Sequence, residues 1–519
     1  MRAYRAEGRM LRSSRFRLWM VSGAVLLGAS GASAASSSDF LRSAESAYRS
    51  GQYLQSARYA FSANEEDSGL RPEAYSWITL SLMRAGLPNS ASYFFIRTLQ
   101  SGNKAAIRRV LGETEALLVH VGGDLLRKYL IRHTSYGDYN PQNRSAYLYS
   151  LGKEALLSGK EESAVGYFNG IQRGTGLWPV VLQLRASAYA LQGKNELAVQ
   201  DFRECQRRAD DLAGGREPRE SDDLRARCLA GEARTLYAMD RFDDADRAYD
   251  RISKMSIVWP DVLFEQAWNS FARKEYNRTL GKLVSYKSPA LKFVFNPEVD
   301  VLRSQSYLAM CLYSDANDVV NEFNANYTRV GEEVKRFVEK NSLNLMAFHE
   351  LGRKAVQAPL YTQSDLYRMM NRFVRSPYFR NLLKAEREIS AELVSLRRQG
   401  TGGGGFSGFA EQVLQWRLRT IQLLGGVFVK NSLLDYHSAL ISDFEKMAFI
   451  KLEMLKQAKD RLQVRNASTK DGERERGDVE PSRRSYQYYW SFNGEFWNDE
   501  LGDYVFGLES ECGKGDRDQ

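Results

Sequence analysis

Two stretches decide the fold: Leu182–Cys205, LQLRASAYALQGKNELAVQDFREC, and Leu229–Ile252, LAGEARTLYAMDRFDDADRAYDRI. With Gly193 set against Asp240, Ala186 meets Ala233, Ala198 meets Ala245, and Phe202 meets Tyr249. Each stretch reads as a helix, a tight turn and a second helix. Small residues let the paired helices approach, Gly supplies the turn, and the aromatic fills the space between neighbouring pairs.

The frame recurs outward from these two. It returns as Ala44, Gly51, Tyr53 and Ser56; as Thr79, Gly86, Ala91 and Phe95; as Gly152, Gly159, Ala164 and Phe168; and as Ala267, Tyr276, Thr279 and Leu283. Frame starts at Ser37, Pro72, Ser145, Pro179, Ala226 and Pro260 give three steps of 34 or 35 residues. The 47-residue step from Pro179 to Ala226 carries a polar insertion, Ala209–Ser221, which reads as a loop. The gap from Pro72 to Ser145 leaves room for one degenerate pair, Asn103–Arg144. Trp178-Pro179 and Trp259-Pro260 stand at corresponding repeat starts, where Pro suits a first helical turn. A fixed period of this length signals a repeat array.

This pattern resembles the tetratricopeptide repeat (TPR) family. The resemblance implies an all-α fold: a TPR solenoid of antiparallel helix pairs over residues 35–295, with a concave, partner-binding groove lined by the first helices. Exposed positions of those helices nominate Arg185, Tyr189, Arg234, Tyr237, Trp268 and Asn269 as groove residues. Arg and aromatics are the types that anchor protein interfaces.

Residues 296–363 read as degenerate helical repeats, with weak repeat character at Val319 and Phe323. Apolar residues then step by three and four over residues 364–464, through Phe379, Leu382, Ile389, Leu393 and Leu396, then Phe409, Val413, Trp416, Thr420, Leu423 and Val427, and on to Leu434, Ile441, Phe444, Ala448 and Leu455. The Gly-rich Arg397–Gly408 divides them. We read a long antiparallel helical hairpin with a coiled-coil-like stripe, Pro377 opening or kinking the first helix and Gly425-Gly426 bending the second. The hairpin either offers a seam for self-association or folds back on the repeats.

At the N-terminus, six Arg precede an apolar run, Leu18–Ala29, and Ala32-Ser33-Ala34. This is the layout of a secretory signal peptide, residues 1–34, cleaved before Ala35. The run is short for a membrane span, and no other stretch is apolar enough for one. The chain carries 73 basic and 64 acidic side chains. The leader holds six Arg and one Glu, which leaves 67 against 63 and a net +4. Charges so balanced and interspersed give no nucleic-acid footprint. An exported chain can form disulfides, and Cys205 and Cys228, on the helices flanking the insertion, either pair with one another or stay two buried thiols.

Nothing in the chain reads as catalytic. Its four His (His120, His133, His349, His437) form no HExxH or Cys/His metal spacing, and Gly402–Gly405 lacks the Lys-Ser/Thr of a phosphate loop. No cofactor or metal is expected.

Residues 465–485 are charged and read as a disordered linker. An aromatic tail, 486–519, follows. Trp490, Phe492, Phe496, Trp497, Tyr504 and Phe506 make it too apolar to stay in water. We expect a short hairpin, arms Phe492–Trp497 and Tyr504–Leu508 about a turn at Asn498–Gly502, that docks on the chain's own helices or on a partner. Cys311 reads as a buried helical residue, which makes pairing with Cys512 the less favoured arrangement. The segment Ser491–Cys512 is similar to the C-termini of envelope TPR proteins of delta-proteobacteria, gliding-motility and predatory ones among them. Those share its Gly-Glu-Phe/Tyr-Trp, Asp-Glu-Leu-Gly, aromatic, Cys order. That similarity implies a periplasmic or outer-membrane-associated scaffold. The lipid anchor of gliding relatives is not expected, because no Cys follows the apolar run. The functional expectation is an adaptor that joins envelope proteins. The alternative is an accessory module that binds peptide or glycan for an envelope enzyme.

Overall fold

The computed structural model describes residues 36–213, 218–357, 365–399, 405–461 and 494–512. All regular elements among them are helical. Omitting one-turn segments, these are α1 Ser37–Arg49, α2 Tyr53–Glu66, α3 Arg71–Arg84, α4 Pro88–Gln100, α5 Lys104–Val110, α6 Gly123–His133, α7 Arg144–Leu157, α8 Glu161–Asn169, α9 Trp178–Leu191 and α10 Asn195–Ala213. They continue as α11 Pro218–Tyr237, α12 Phe242–Asp250, α13 Trp259–Ala272, α14 Tyr276–Val284, α15 Glu298–Ala309, α16 Tyr313–Lys340, α17 Leu345–Gln357, α18 Asp365–Val374, α19 Pro377–Gln399 and α20 Gly405–Arg461.

One backbone turn repeats through this series. Between α1/α2, α3/α4, α7/α8, α9/α10, α11/α12, α13/α14 and α15/α16, one linker residue adopts positive φ: Gly51, Gly86, Gly159, Gly193, Asp240, Lys274 and Cys311. The next N–H then reaches back five residues, as from Gln52 to the Ala47 carbonyl (2.8 Å) and from Leu312 to that of Tyr307 (2.9 Å). This left-handed cap satisfies the last carbonyls of the first helix and reverses the chain.

Side-chain positions keep step with the turn. Seven residues before it stand Ala44, Thr79, Gly152, Ala186, Ala233, Ala267 and Ser304, and five after it stand Ser56, Ala91, Ala164, Ala198, Ala245, Thr279 and Ala316. All are buried. A Cβ on Gly152 would lie 2.4 Å from the Phe168 ring, so the helices of that pair meet at van der Waals contact. Nine after the turn come Ala60, Phe95, Phe168, Phe202, Tyr249, Leu283 and Val320, also buried. The array is all-α and of TPR type.

The repeat thus runs past residue 295. The pair α15/α16 carries the full frame, with Ser304, Cys311 and Ala316 in the diagnostic places. Cys311 is therefore a turn residue, which corrects its reading as a helical one. The insertion Ala209–Ser221 is not simply a loop: α10 extends to Ala213 and α11 begins at Pro218, so it lengthens both helices. Between α4 and α7, the degenerate pair is α5 and α6 joined through a π-turn at Leu118–Gly122.

Two units divide the contacts, residues up to 205 with 384–421, and 206–383 with 422–519. In the first, the hairpin helices lie back on the repeats. Phe406 and Phe409 pack on Phe61 and Phe94, with ring centroids 5.4–6.3 Å apart. Glu392, on α19, caps the start of α4. Its carboxylate accepts from the N–H and side chain of both Asn89 and Ser90, at 2.8–2.9 Å. Arg417 donates to Asn89 Oδ1 (3.0 Å) and to the Val121 carbonyl (3.3 Å). Burial lifts the Glu392 carboxyl above its ordinary range and brings the Arg417 guanidinium down to about 10.

In the second unit α20 also lies against helices. Val429, Leu433 and Tyr436 join Phe348 and Met370, while Leu440, Met447 and Ile450 join Phe323 and Val319. A Cβ on Gly426 would sit 2.0 Å from the Leu345 carbonyl, and one on Gly425 2.6 Å from His349 Nδ1. That glycine pair is where α20 meets α17, within one continuous helix. Pro377 opens α19. The stripe read from sequence is the packing face on α19, where Phe379, Leu382, Ile389, Leu393 and Leu396 are buried, but not along much of α20. Trp416, Leu434, Ile441 and Leu455 of that stripe are exposed, and the buried residues are those one position aside. The signal segment, the linker 465–485, Trp490 and Phe492 lie outside the described residues.

Candidate functional site

The six groove residues are not equivalent in the fold. Arg185 pairs with Asp201 through both nitrogens (2.6 and 2.8 Å), donates to Asn169 and lies over the Trp178 ring. It is a packing and pairing residue inside its repeat. Tyr189 is half-buried. Arg234 is exposed and forms a two-bond pair with Glu265, at 2.8 and 2.6 Å, which also accepts from the Tyr249 hydroxyl. Tyr237 is half-buried with its ring edge on Phe242. Trp268 packs between Phe264 and Phe271. Asn269 is fully buried and donates to the Phe242 carbonyl at 2.9 Å, so it ties α13 to the start of α12 and presents nothing to a partner.

A second site lies on the α13–α16 face of the second unit, where the C-terminal segment crosses as an extended strap. Among the described residues it forms no strand. Its arms meet through side chains: the Trp497 N–H donates to the Tyr504 hydroxyl (2.8 Å), and the rings of Phe496 and Tyr504 lie 5.9 Å apart. Trp497 itself is exposed. The strap's backbone finds its partners on the helices instead. Gly502 N–H donates to Ser285 Oγ (2.9 Å), Phe506 N–H to the Asn277 carbonyl (3.0 Å), and Glu511 N–H to the Met310 carbonyl (3.0 Å). The Asn277 amide holds Leu508 from both sides, donating to its carbonyl and accepting from its N–H, each at 2.9 Å.

Three features of the helices make room for this crossing. Gly281, in the middle of α14, leaves open the volume through which the strap's backbone passes: a Cβ there would lie 1.8 Å from the Tyr504 carbonyl oxygen. Leu508 enters the apolar cluster of Leu280, Met310, Leu312 and Val319, with Phe506 packed on its edge. Cys311, held outward in the turn, bonds to Cys512. At the other end Lys254 pairs with Asp503 at 3.0 Å. Burial, then the nearby Asp499 and Asp503, push the Glu500 carboxyl upward.

Sequence reasoning placed Tyr504 and Phe506 in a docking element but missed its receptors, Asn277, Gly281, Ser285 and Met310. Gly281 carried a usable signal, since a lone Gly inside a helical pattern marks a close approach. Among the described residues no group of three or more His, Cys, Asp or Glu is placed to hold a metal ion, and no helix is long and apolar enough to cross a membrane.

No protein-family model and no curated protein matches the chain. Solved structures similar to it include the TPR domain of P58(IPK), at 12% identity over 74% of this chain and 98% of that one, TM-score 0.19. Yeast Tom70 aligns at 13% identity over 81% and 96%, TM-score 0.20. A circular tandem repeat protein aligns at 14% over 80% and 90%, TM-score 0.12. The class rests on the repeated turn and its buried frame, described above.

Proposed function

We propose that the protein is a non-catalytic scaffold that holds other proteins of the bacterial envelope together from the periplasm, with gliding motility or a related surface process as its setting. The observation that carries the scaffold reading is the strap site. There the repeat helices grip an extended polypeptide through its backbone, at Asn277, Ser285 and Met310, and seat one apolar side chain, Leu508. Recognition of an extended chain by backbone bonds and side-chain pockets is a general mode of peptide binding.

The compartment is supported by the leader and by the cysteines. Cys311 and Cys512 are joined, and Cys205 and Cys228 are each in a disulfide, which this reading assigns to one another. Disulfides persist in oxidising compartments. N-terminal sequencing of the exported protein should begin at Ala35. A chain that retains Arg2 or Met10 would overturn the export reading.

Tyr189 and Tyr237, both half-buried aromatics, remain our choice for contact with partners. A pull-down from envelope fractions with wild type and with Tyr189→Ala/Tyr237→Ala tests this. Partner recovery should fall with the double variant, at a cost of about 1–3 kcal/mol in binding. If its melting curve collapses instead, the tyrosines belong to the core. If wild type recovers no stable partner, the scaffold reading fails.

A further inference from the structure

The second half of α20 carries two apolar stripes. One faces inward, through Val429, Leu433, Tyr436, Leu440, Met447 and Ile450. The other is exposed and strictly periodic: Leu434, Ile441, Ala448 and Leu455 recur every seventh residue. Phe449 (76% exposed) and Leu452 (63%) widen it. A run of large apolar side chains left in water on one helix face marks an interaction surface. A seven-residue spacing is the period at which two helices stay in register along a shared seam.

We propose that this face is the dimer interface of the protein and that its occupant is α20 of a second copy, antiparallel, about a two-fold axis at Ala448. The charges select this partner. With the axis at Ala448, Ile441 of one copy meets Leu455 of the other, and exposed Glu445 meets exposed Lys451. Symmetry makes each contact twice. The smallest residue of the stripe falls on the axis, where the helices come closest, and Phe449 flanks it on both sides. A parallel pairing in register would instead set Glu445 against Glu445 and Lys451 against Lys451. The interface is independent of the scaffold reading, because it uses none of the groove or strap residues.

Sedimentation equilibrium on the mature chain tests the proposal. Wild type should be dimeric at micromolar concentration, and Ile441→Asp/Leu455→Asp should be monomeric with an unchanged melting temperature, since both positions are exposed. Glu445→Lys should raise the dimer Kd about tenfold, and Glu445→Lys/Lys451→Glu should restore it. The register has its own probe. No native cysteine is free, so Ala448→Cys introduces a lone thiol, and mild oxidation should give a covalent dimer. Ser438→Cys should not. Monomeric wild type overturns the proposal. So does a monomer whose stripe is protected from hydrogen exchange, which would give the face to another part of the same chain. Dimers indifferent to Glu445→Lys and to Ile441→Asp/Leu455→Asp would place the contact elsewhere and overturn it equally.

Discussion

Asn277 holds Leu508 by its backbone alone: its side-chain amide donates to the Leu508 carbonyl and accepts from the Leu508 N–H, both at 2.9 Å. The geometry is that of one strand residue paired with another, supplied here by a side chain on a helix. Removing it leaves a half-buried donor and acceptor without partners, which costs about 1–3 kcal/mol. Asn277→Ala should therefore accelerate amide exchange over residues 502–510 while α9 and α10 keep their protection. Gly281→Ala should do so more strongly, because its methyl would fall on the Tyr504 carbonyl. Unchanged exchange in both variants would show that the strap does not depend on this site.

The strap is also tied covalently. Cys311 and Cys512 are 201 residues apart in sequence, so their bond closes a long loop of the unfolded chain. Loop-closure entropy assigns such a bond about 5 kcal/mol. Cys512→Ser should lower the thermal midpoint of the second unit. A variant that melts with wild type would mean that the non-covalent contacts already hold the strap.

The repeat was legible because its frame is local. Ala186, Gly193, Ala198 and Phe202 lie within one helix pair, and a helix-turn-helix places them by sequence distance alone. The pair at Ser304 and Cys311 was read only as weak repeat character at Val319 and Phe323: its turn residue is Cys, Ser304 and Val320 stand where most other repeats carry Ala and an aromatic, and no Trp-Pro marks its start. The α20 stripe was misassigned for another reason. Two apolar series run along that helix one residue apart, Leu433 beside Leu434 and Leu440 beside Ile441, and periodicity cannot say which one the repeats cover. Asn269 and Arg185 fell on first helices as expected. Whether such a residue faces solvent depends on its neighbours, Phe242 of the preceding pair for Asn269 and Asp201 across its own pair for Arg185, and helical periodicity along the first helix does not name them.

The turns with side chains make a direct test of the frame. Lys274 holds φ at +62°, where Gly sits in four of the equivalent turns. A left-handed conformation costs a side-chain-bearing residue about 1–2 kcal/mol, against which Gly's greater freedom in the unfolded chain is worth about 0.5–1 kcal/mol. Lys274→Gly should accordingly stabilise the second unit by about 0.5–1 kcal/mol, read as a higher urea midpoint at unchanged slope. Lys274→Val should destabilise it. A neutral or harmful glycine would mean that the lysine side chain itself contributes to the fold.

Glu392, on α19, caps the start of α4. It accepts four bonds from Asn89 and Ser90, and it is 6% exposed. Glu392→Gln puts an NH2 group among four donors, so at least one bond is lost, and the variant should be less stable by about 1–3 kcal/mol at neutral pH. The pH dependence carries a sign. Burial is the largest influence on this carboxyl and raises it above its usual 4.5, with the four donors working the other way. A group bound more tightly to its proton when folded contributes stability that is complete below its unfolded value and is lost as pH rises through the folded one. Glutamine does not titrate. The gap between wild type and Glu392→Gln should therefore be wider at pH 4.5 than at pH 7, measured as paired urea midpoints of the first unit. A gap that grows with pH would show that the cap of hydrogen bonds outweighs desolvation and holds the carboxylate ionised.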